Sequence, residues 1–263
     1  MKKILFLLFS AAVLLFQRYT YHKFNGFSVY SVEAPVPLAT SLIDLNPQMQ
    51  ALLKEPFHFL ALGKQAFVFE SPDGQYVLKL LKTKRFNIRP IERSYYNWIG
   101  SIQATKVDRR ITQELKSYQL AYCELKTASQ ILGIKLGSSS SLGLLTIKDP
   151  WGLTKTIDLN KASFIIQPKA KTFRQVIETS SPSEKKEALE KIKALIESRY
   201  AKNILDKDPR IHRNIGFIKG QPFFLDLGSF VYTSELTEEQ KAADLKKILD
   251  YQKSFMKRIK LEF

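Results

Sequence analysis

Three short runs of strand-forming residues, joined by tight turns, constrain the fold more than any other part of the sequence. The runs cover residues 57–62, 66–69 and 76–81, and the turn Pro72-Asp73-Gly74 stands between the last two. Aromatic and β-branched residues separated by such turns predict an antiparallel meander. Lys79 lies in the middle of the third run, where a lysine is costly to bury unless it is paired.

A helix is predicted to follow the meander. Apolar residues recur at helical spacing from 111 to 125, which predicts about 18 helical residues starting at Asp108 or Thr112. Glu114 falls on the inward side of this helix and could pair with Lys79, and Glu124 is a second candidate. The residues between the meander and the helix, 82–107, form a basic insertion.

The second half of the chain carries a hairpin flanked by two oxygen-bearing side chains. Residues 216–225 have the pattern strand, turn, strand, with Asn214 before and Asp226 after. A hairpin places these two side chains at the same end, and Asn and Asp oxygens suit the hard cation Mg²⁺. The sequence therefore predicts Asn214 and Asp226 as metal ligands.

The remaining pattern predicts further strands followed by helices. Strand-like runs occur at 131–136, 142–147, 156–159 and 163–167. A short helix is predicted at 172–179, a longer one after the capping pattern Ser181-Pro182-Ser183-Glu184, and a last one after Thr237. The predicted fold class is α+β, with an antiparallel sheet first and a small helical part second.

The order of these features resembles the protein-kinase-like superfamily. The features are the turn Leu62-Gly63-Lys64, the strand Val77-Leu78-Lys79-Leu80, the helix with Glu114, and the segments Asn214-Ile215 and Asp226-Leu227-Gly228. The last two look more like the atypical and phosphoinositide-kinase version than the ordinary protein-kinase one. The chain is also similar to a group of kinase-like proteins of chlamydia-type intracellular bacteria.

The resemblance implies a bilobal fold that binds ATP and Mg²⁺, and it assigns roles to particular residues. Gly63 and Lys79 would contact the phosphates, Glu114 would orient Lys79, and the backbone from Gln167 to Lys169 would meet the adenine.

The acceptor hydroxyl would be positioned by an aspartate close before Asn214. Kinases have this aspartate five residues earlier, where this chain has Pro209. Asp208, six residues before Asn214, is the predicted catalytic residue, and Asp206 is the alternative. The glycine loop has one glycine, Gly63, and few residues follow Asp226, so the helical C-lobe is predicted to be truncated.

The N-terminus predicts export or membrane anchoring. Lys2 and Lys3 precede an apolar stretch at 4–16, a pattern typical of a signal peptide and short for a bilayer-spanning helix. The predicted division is a signal peptide or anchor at 1–18, a linker at 19–50, an N-lobe at 51–169 and a C-lobe at 170–263. The location would be the bacterial envelope or the outside of the cell.

Charge and cysteine content limit the partners. The net charge of +16 favours anionic partners, and membrane binding through the N-terminal segment is a further expectation. No nucleic-acid motif is present. The single cysteine, Cys123, excludes an internal disulfide and is predicted to be a small core residue.

Three functions follow from these patterns. The first is a minimal ATP- and Mg²⁺-dependent phosphotransferase of unknown acceptor. The second is a catalytically weak pseudokinase or binding module, favoured by the poor glycine loop, the displaced aspartate and the short C-lobe. The third is a basic protein that binds membranes or nucleic acid, favoured by the charge and the basic insertion.

Overall fold

A computed structural model describes residues 6, 9–13, 15–16, 26–33, 41–83, 101–139 and 141–258, with the backbone alone for 101–112 and 258. Most of the predicted basic insertion, including residues 85–90, lies outside the described residues. The described residues between 6 and 16 are helical. Among the described residues, no helix combines the length and the apolar character needed to cross a bilayer.

The chain divides into two compact units. The first comprises residues 1–89 and 133–166, and the second comprises 90–132 and 167–263. The segment that carries the helix with Glu114 thus belongs to the second unit. The chain enters the second unit for the last time between residues 166 and 167, three residues before the predicted boundary at 169/170.

The first unit is built on one eight-stranded sheet. Its strands, in chain order, are β1 (Leu42–Leu45), β2 (Phe57–Leu62), β3 (Ala66–Glu70), β4 (Tyr76–Leu81), β5 (Gly133–Leu136), β6 (Leu144–Lys148), β7 (Thr154–Asp158) and β8 (Phe164–Pro168). The order across the sheet is β1-β5-β8-β4-β3-β2-β6-β7. β2 pairs with β6 in parallel, whereas β2–β3, β3–β4, β1–β5, β5–β8 and β6–β7 pair antiparallel. The predicted meander of β2, β3 and β4 is confirmed.

Part of the predicted linker belongs to this unit. Phe27 is buried, and its ring meets those of Phe67 and Phe69 edge to face at 5.1 and 5.5 Å. Glu33 accepts a hydrogen bond from the backbone of Asp158. A single 3₁₀ turn spans Val29–Ser31, and β1 is followed by the short helix α1 (Pro47–Leu52). These residues pack on the sheet because Phe27 buries aromatic surface against it. The sequence of the predicted linker does not reveal this contact.

The second unit is rich in helices. Its helices are α2 (Ser101–Glu124), α3 (Lys126–Ser129), α4 (Phe173–Thr179), α5 (Pro182–Tyr200), α6 (Ile211–Asn214) and α7 (Glu238–Arg258). Its strands are β9 (Lys171–Thr172), β10 (Ile204–Asp206), β11 (Ile215–Ile218), β12 (Gln221–Phe224) and β13 (Phe230–Tyr232). They form one sheet of order β12-β11-β9 and one pair, β10-β13. The α+β class is confirmed.

Two details of the helices test the sequence patterns. Ser181 caps α5 and exchanges hydrogen bonds with Glu184, with Pro182 in the first turn, as predicted. α2 starts at Ser101, seven residues before the earliest predicted start, because propensity extends it beyond its apolar stripe. The prediction for Cys123 is wrong: its side chain is exposed.

Candidate functional site

The hairpin predicted between Asn214 and Asp226 is present. β11 and β12 pair in antiparallel register from Ile215↔Phe224 to Ile218↔Gln221. Lys219 and Gly220 form the turn, with φ of +49° and +74°, as a two-residue hairpin loop with right-handed strand twist requires. The hairpin thus brings the ends of its two strands together at residues 214 and 225.

Asp208, Asn214 and Asp226 belong to one hydrogen-bonded assembly. The backbone carbonyl of Asn214 accepts hydrogen bonds from the amides of Leu225 at 2.7 Å and Asp226 at 3.4 Å. The side-chain nitrogen of Asn214 donates to the backbone carbonyl of Asp208 at 3.3 Å. Asn214 is buried, with 3% of its surface exposed. Because the side-chain nitrogen of Asn214 is a hydrogen-bond donor without a free lone pair, Oδ1 is the side-chain atom that could bind a cation.

The segment after Asp226 is fixed to helix α2. The Ser117 hydroxyl donates to the carbonyl of Leu227 at 2.5 Å and accepts from the amide of Phe230 at 2.7 Å. Gln113 donates to the carbonyl of Phe230 at 3.0 Å. Asp226 is half-buried, and its Oδ1 accepts from the amide of Gly228 at 3.2 Å. The helix that orders this segment is the one that carries Glu114.

Asp208 lies on a short loop between β10 and α6. Its carboxylate is bound by the Arg210 guanidinium in a bidentate pair. Burial acts to raise the pKa of Asp208, but the hydrogen bonds and charge of Arg210 outweigh it and leave the pKa below its usual value. The helical turn α6 follows this loop and ends at Asn214.

Asp206, the alternative to Asp208, is held inside the protein. Its carboxylate accepts a hydrogen bond from Ser229 at 2.5 Å and lies 3.6 Å from the Arg199 guanidinium. Burial raises the pKa of Asp206 to about 6, although Arg199 and Ser229 act to lower it. Ser229 and Arg199 thus bind the Asp206 carboxylate inside the protein. The Asp208 side chain is more exposed to solvent than that of Asp206.

Arg199 connects three elements of the second unit. It is 1% exposed, and besides Asp206 on β10 it binds Asp244 on α7 at 2.7 Å. The Tyr200 hydroxyl also donates to Asp244, at 2.8 Å. Burial and the Asp244 carboxylate raise the pKa of Tyr200 above its usual value. The loop that carries Asp208 is therefore anchored to the last helix through a buried ion pair.

Gln167 and Lys169, predicted to lie beside adenine, differ in their surroundings. The Gln167 side chain is fully buried and donates to the carbonyls of Ser129 at 2.6 Å and Phe224 at 3.0 Å. It therefore supports the β11–β12 hairpin, and only its backbone remains for the predicted contact. Lys169 is exposed and lines a cavity of about 420 Å³ with Lys171, Lys219 and residues of α4.

Gly63 and Lys79 lie in the first unit. Gly63 is in the turn between β2 and β3, where its amide donates to the carbonyl of Ala66 at 2.9 Å and its carbonyl accepts from Lys82 at 2.6 Å. A Cβ at Gly63 would stand 3.0 Å from the Ala66 carbonyl oxygen, so the turn favours glycine. Lys79 is half-buried on β4, opposite Val68 of β3. Their roles toward phosphates stay predictions, as does that of half-buried Glu114 in the second unit.

Three ordering residues of the second unit were missed by the sequence patterns: Ser117, Arg199 and Ser229. Arg199 had a signal, because it follows Ile192 and Ile196 at helical spacing and so shares their buried face. Ser117 follows Glu114 by one helical turn. Ser229 had none, since a serine after a turn is common in any fold.

No group of three or more His, Cys, Asp or Glu side chains in the described part of the chain could hold a metal ion. Asn214 and Asp226 form a smaller set of one amide and one carboxylate. Mg²⁺ commonly uses one or two protein ligands and takes the rest from phosphates and water. That Asn214 and Asp226 hold a cation stays a prediction.

Comparisons with known proteins complete the description. No family model matches the chain, and no curated protein matches it in sequence. The crystal structure of WbdD, at 2.2 Å, aligns with 12% identity and a TM-score of 0.37 over 73% of this chain and 37% of WbdD. The LegK7 effector kinase of Legionella pneumophila aligns with 10% identity and a TM-score of 0.30 over 88% of this chain and 38% of LegK7. The chain spans little more than a third of the length of either protein.

Proposed function

We propose that the chain is a nucleotide-dependent phosphotransferase that uses ATP and Mg²⁺. The observation that carries the proposal is the assembly of Asp208, Asn214 and Asp226, joined through hydrogen bonds at the base of one hairpin. An acceptor-binding carboxylate beside two cation ligands is the arrangement that phosphoryl transfer needs.

Each residue of the proposed site has a separate task. Oδ1 of Asn214 and the carboxylate of Asp226 would hold the cation, which supplies positive charge to the phosphates. Asp208 would accept a hydrogen bond from the acceptor hydroxyl and orient it for attack. Its lowered pKa keeps it ionised at neutral pH, so positioning is its main contribution.

The remaining predicted residues complete the proposal. Lys79 would bind the phosphates, Glu114 would orient Lys79, and the turn at Gly63 would cover the phosphates with backbone amides. The backbone from Gln167 to Lys169 would meet the adenine. The N-terminal segment would export or anchor the protein at the bacterial envelope, and the excess of basic residues would favour anionic partners.

The first test is the substitution Asp226→Asn in the full chain. ATP with Mg²⁺ is expected to raise the unfolding free energy of the wild type by RT ln(1 + [L]/Kd), about 2.7 kcal/mol at a hundredfold excess over Kd, and so to raise its unfolding midpoint. The variant should lose the Mg²⁺-dependent part, because an amide is a weaker ligand than a carboxylate. Thermal-shift titrations with ATP, with and without Mg²⁺, measure the stabilisation of the wild type and of the variant.

Glu239→Gln is the matched control, since it also neutralises one carboxylate, in the exposed first turn of α7. Equal Mg²⁺-dependent stabilisation of wild type and Asp226→Asn would overturn the proposed cation site. No stabilisation of the wild type by any nucleotide would overturn the phosphotransferase itself and favour the basic membrane- or nucleic-acid-binding function.

A pseudokinase is the second candidate, and one observation favours it. The Asp208 carboxylate is already engaged by Arg210, which fits a residue that holds a loop rather than one that binds an acceptor. Asp208→Asn separates the two functions. In a phosphotransferase the variant keeps nucleotide binding and loses ATP turnover, whereas in a pseudokinase neither the wild type nor the variant turns ATP over.

A further inference from the structure

A cavity of about 540 Å³ lies beside the loop that carries Asp208. One wall is Pro209, the residue that follows Asp208. The other wall is one face of α7, made of Ala243, Lys246, Lys247, Asp250, Tyr251 and Ser254. These positions recur every three or four residues, as one face of a helix requires. The cavity is open to solvent, because the α7 residues that line it are exposed apart from half-buried Tyr251.

Helix α7 is fastened to the loop on both sides of the cavity. The ring of His212 on α6 stacks on Phe255 with 3.8 Å between centroids and 10° between planes. The same ring lies parallel to Tyr251 at 5.7 Å. Asp244, next to the lining residue Ala243, binds Arg199 of α5 at 2.7 Å. The cavity wall is therefore held in place relative to Asp208.

The lining combines two cations with hydroxyl-binding groups. In the part of the chain that the structure describes, neither Lys246 nor Lys247 has an ion-pair partner, although Asp250 follows Lys246 by one helical turn. Other helix lysines do pair in this way, such as Lys241 with Glu238 at 2.6 Å and Lys191 with Glu187 at 2.7 Å. The two cavity lysines are thus available to an anion from solution.

We propose that this cavity is the acceptor site and that the acceptor is a small hydroxyl compound with a phosphate or carboxylate group. The proposal rests on the phosphotransferase function above. Lys246 and Lys247 would bind the anionic group, Asp250 and Ser254 would bind hydroxyls, and Tyr251 and Pro209 would contact the carbon skeleton.

The transfer step uses the hydroxyl that lies nearest Asp208. Its oxygen forms a bond to the γ-phosphorus of the nucleoside triphosphate while the bond from that phosphorus to the β,γ-bridging oxygen breaks. Asp208 orients the hydroxyl, the hydroxyl proton passes to solvent water, and the nucleoside diphosphate leaves. The anionic group of the acceptor stays on the lysines, away from the incoming phosphoryl group.

Binding of acceptor analogues to the full chain tests the proposal without catalysis. The free probes are glycerol 3-phosphate, glucose 6-phosphate and 3-phosphoglycerate, measured by calorimetry, with glycerol and glucose as uncharged counterparts. The same chemistry on a lipid is tested with phosphatidylglycerol vesicles against phosphatidylcholine vesicles. At least one charged probe should bind, and its uncharged counterpart should bind at least about tenfold more weakly.

The decisive variant is Lys246→Ala/Lys247→Ala, and its matched control is Lys253→Ala/Lys257→Ala on the same helix outside the cavity. The cavity variant should weaken the charged probe at least about tenfold, and the control should leave it within about twofold. If the cavity variant binds the free phosphate esters more weakly than the wild type does, the acceptor is a soluble compound. If the cavity variant is weaker only toward phosphatidylglycerol vesicles, the acceptor is a lipid headgroup.

Stabilisation by ATP and Mg²⁺ reports on the nucleotide site alone, so it tests the proposed function independently of the acceptor site. The cavity variant should retain that stabilisation in full. Equal probe binding by wild type and cavity variant, or no binding of any charged probe, would overturn the acceptor site even if nucleotide binds. No stabilisation of the wild type by any nucleotide would instead overturn the phosphotransferase.

Discussion

Lys135 is a lysine inside an apolar strand, the same pattern that marks Lys79 as a candidate site residue, and its role is structural. It stands inside the apolar strand β5, as Lys79 does inside β4. Lys135 is fully buried, and its ammonium donates to the carbonyls of Asn160 at 2.8 Å and Ala162 at 2.6 Å. It therefore holds the turn between β7 and β8. A lysine within an apolar run indicates a paired cation, and the partner decides its task.

The buried ammonium gives a pH-dependent prediction. Burial lowers the pKa of Lys135 to about 8, below its value in the unfolded chain. Between these two values the unfolded chain binds more protons than the folded one, so this residue makes stability rise with pH. We expect the unfolding free energy of the wild type, relative to Lys135→Met, to rise between about pH 8 and pH 10.

Urea unfolding at several pH values measures this difference. At pH 7 the variant should be less stable by about 1–3 kcal/mol, because the Ala162 carbonyl loses its partner. Lys155→Met on β7 is the control, since that lysine is exposed. A difference that stays flat or falls across the alkaline range would contradict the assigned burial of the charge.

Among the elements, the link from α5 through β10 to α7 orders the candidate site. Arg199→Met removes the cation that balances the negative charges of Asp206 and Asp244. The two carboxylates then remain largely buried without this positive partner. Breaking a buried pair in this way costs about 3–5 kcal/mol. We expect a loss of this size at pH 8, measured by chemical unfolding, together with weaker nucleotide binding.

The pH profile distinguishes this link from a simple packing loss. The pKa of Asp206 is raised by burial, so the folded state binds the proton more tightly than the unfolded chain, and the stability contribution of this group falls as pH rises through about 4 to 6. Without Arg199 the pKa rises further, and the deficit of Arg199→Met should grow from about pH 5 to pH 8. Lys193→Met, an exposed position of the same helix, should show no such trend.

At the same scale, the elements differ in how far their sequences predict them. Strands β2, β3 and β4 and the hairpin of β11 and β12 follow from local alternation and turn residues. α5 follows from its capping residues. The start of α2 and the part of the predicted linker around Phe27 do not, because distant aromatic contacts and a polar helical extension leave no local pattern.

The candidate site was predictable only where spacing carried the information. Asn214 and Asp226 follow from the hairpin between them. The difference in burial between Asp206 and Asp208 could not be predicted, because it depends on contacts of Arg199 that join three elements far apart in sequence. Gln167 was predicted for its place in the chain, but its side chain supports the hairpin.

For the whole molecule, the net charge of +16 opposes compaction, because cations on the folded surface repel one another. Salt screens this repulsion over about 10 Å at 0.1 M. We therefore expect the unfolding midpoint of the full chain to rise by about 2–4 °C, or roughly 1 kcal/mol, when NaCl increases tenfold from low ionic strength.

A charge variant tests whether repulsion is the cause. Lys253→Glu/Lys257→Glu lowers the net charge at exposed positions of α7, and it should have a higher midpoint at low salt and a smaller increase with NaCl. Sodium sulfate at equal ionic strength separates general screening from anion binding at Lys246 and Lys247: sulfate should stabilise the wild type beyond chloride, and the excess should shrink in Lys246→Ala/Lys247→Ala. A midpoint that falls as NaCl increases would show that attractive surface ion pairs, such as that of Arg174 with Glu178, outweigh the repulsion.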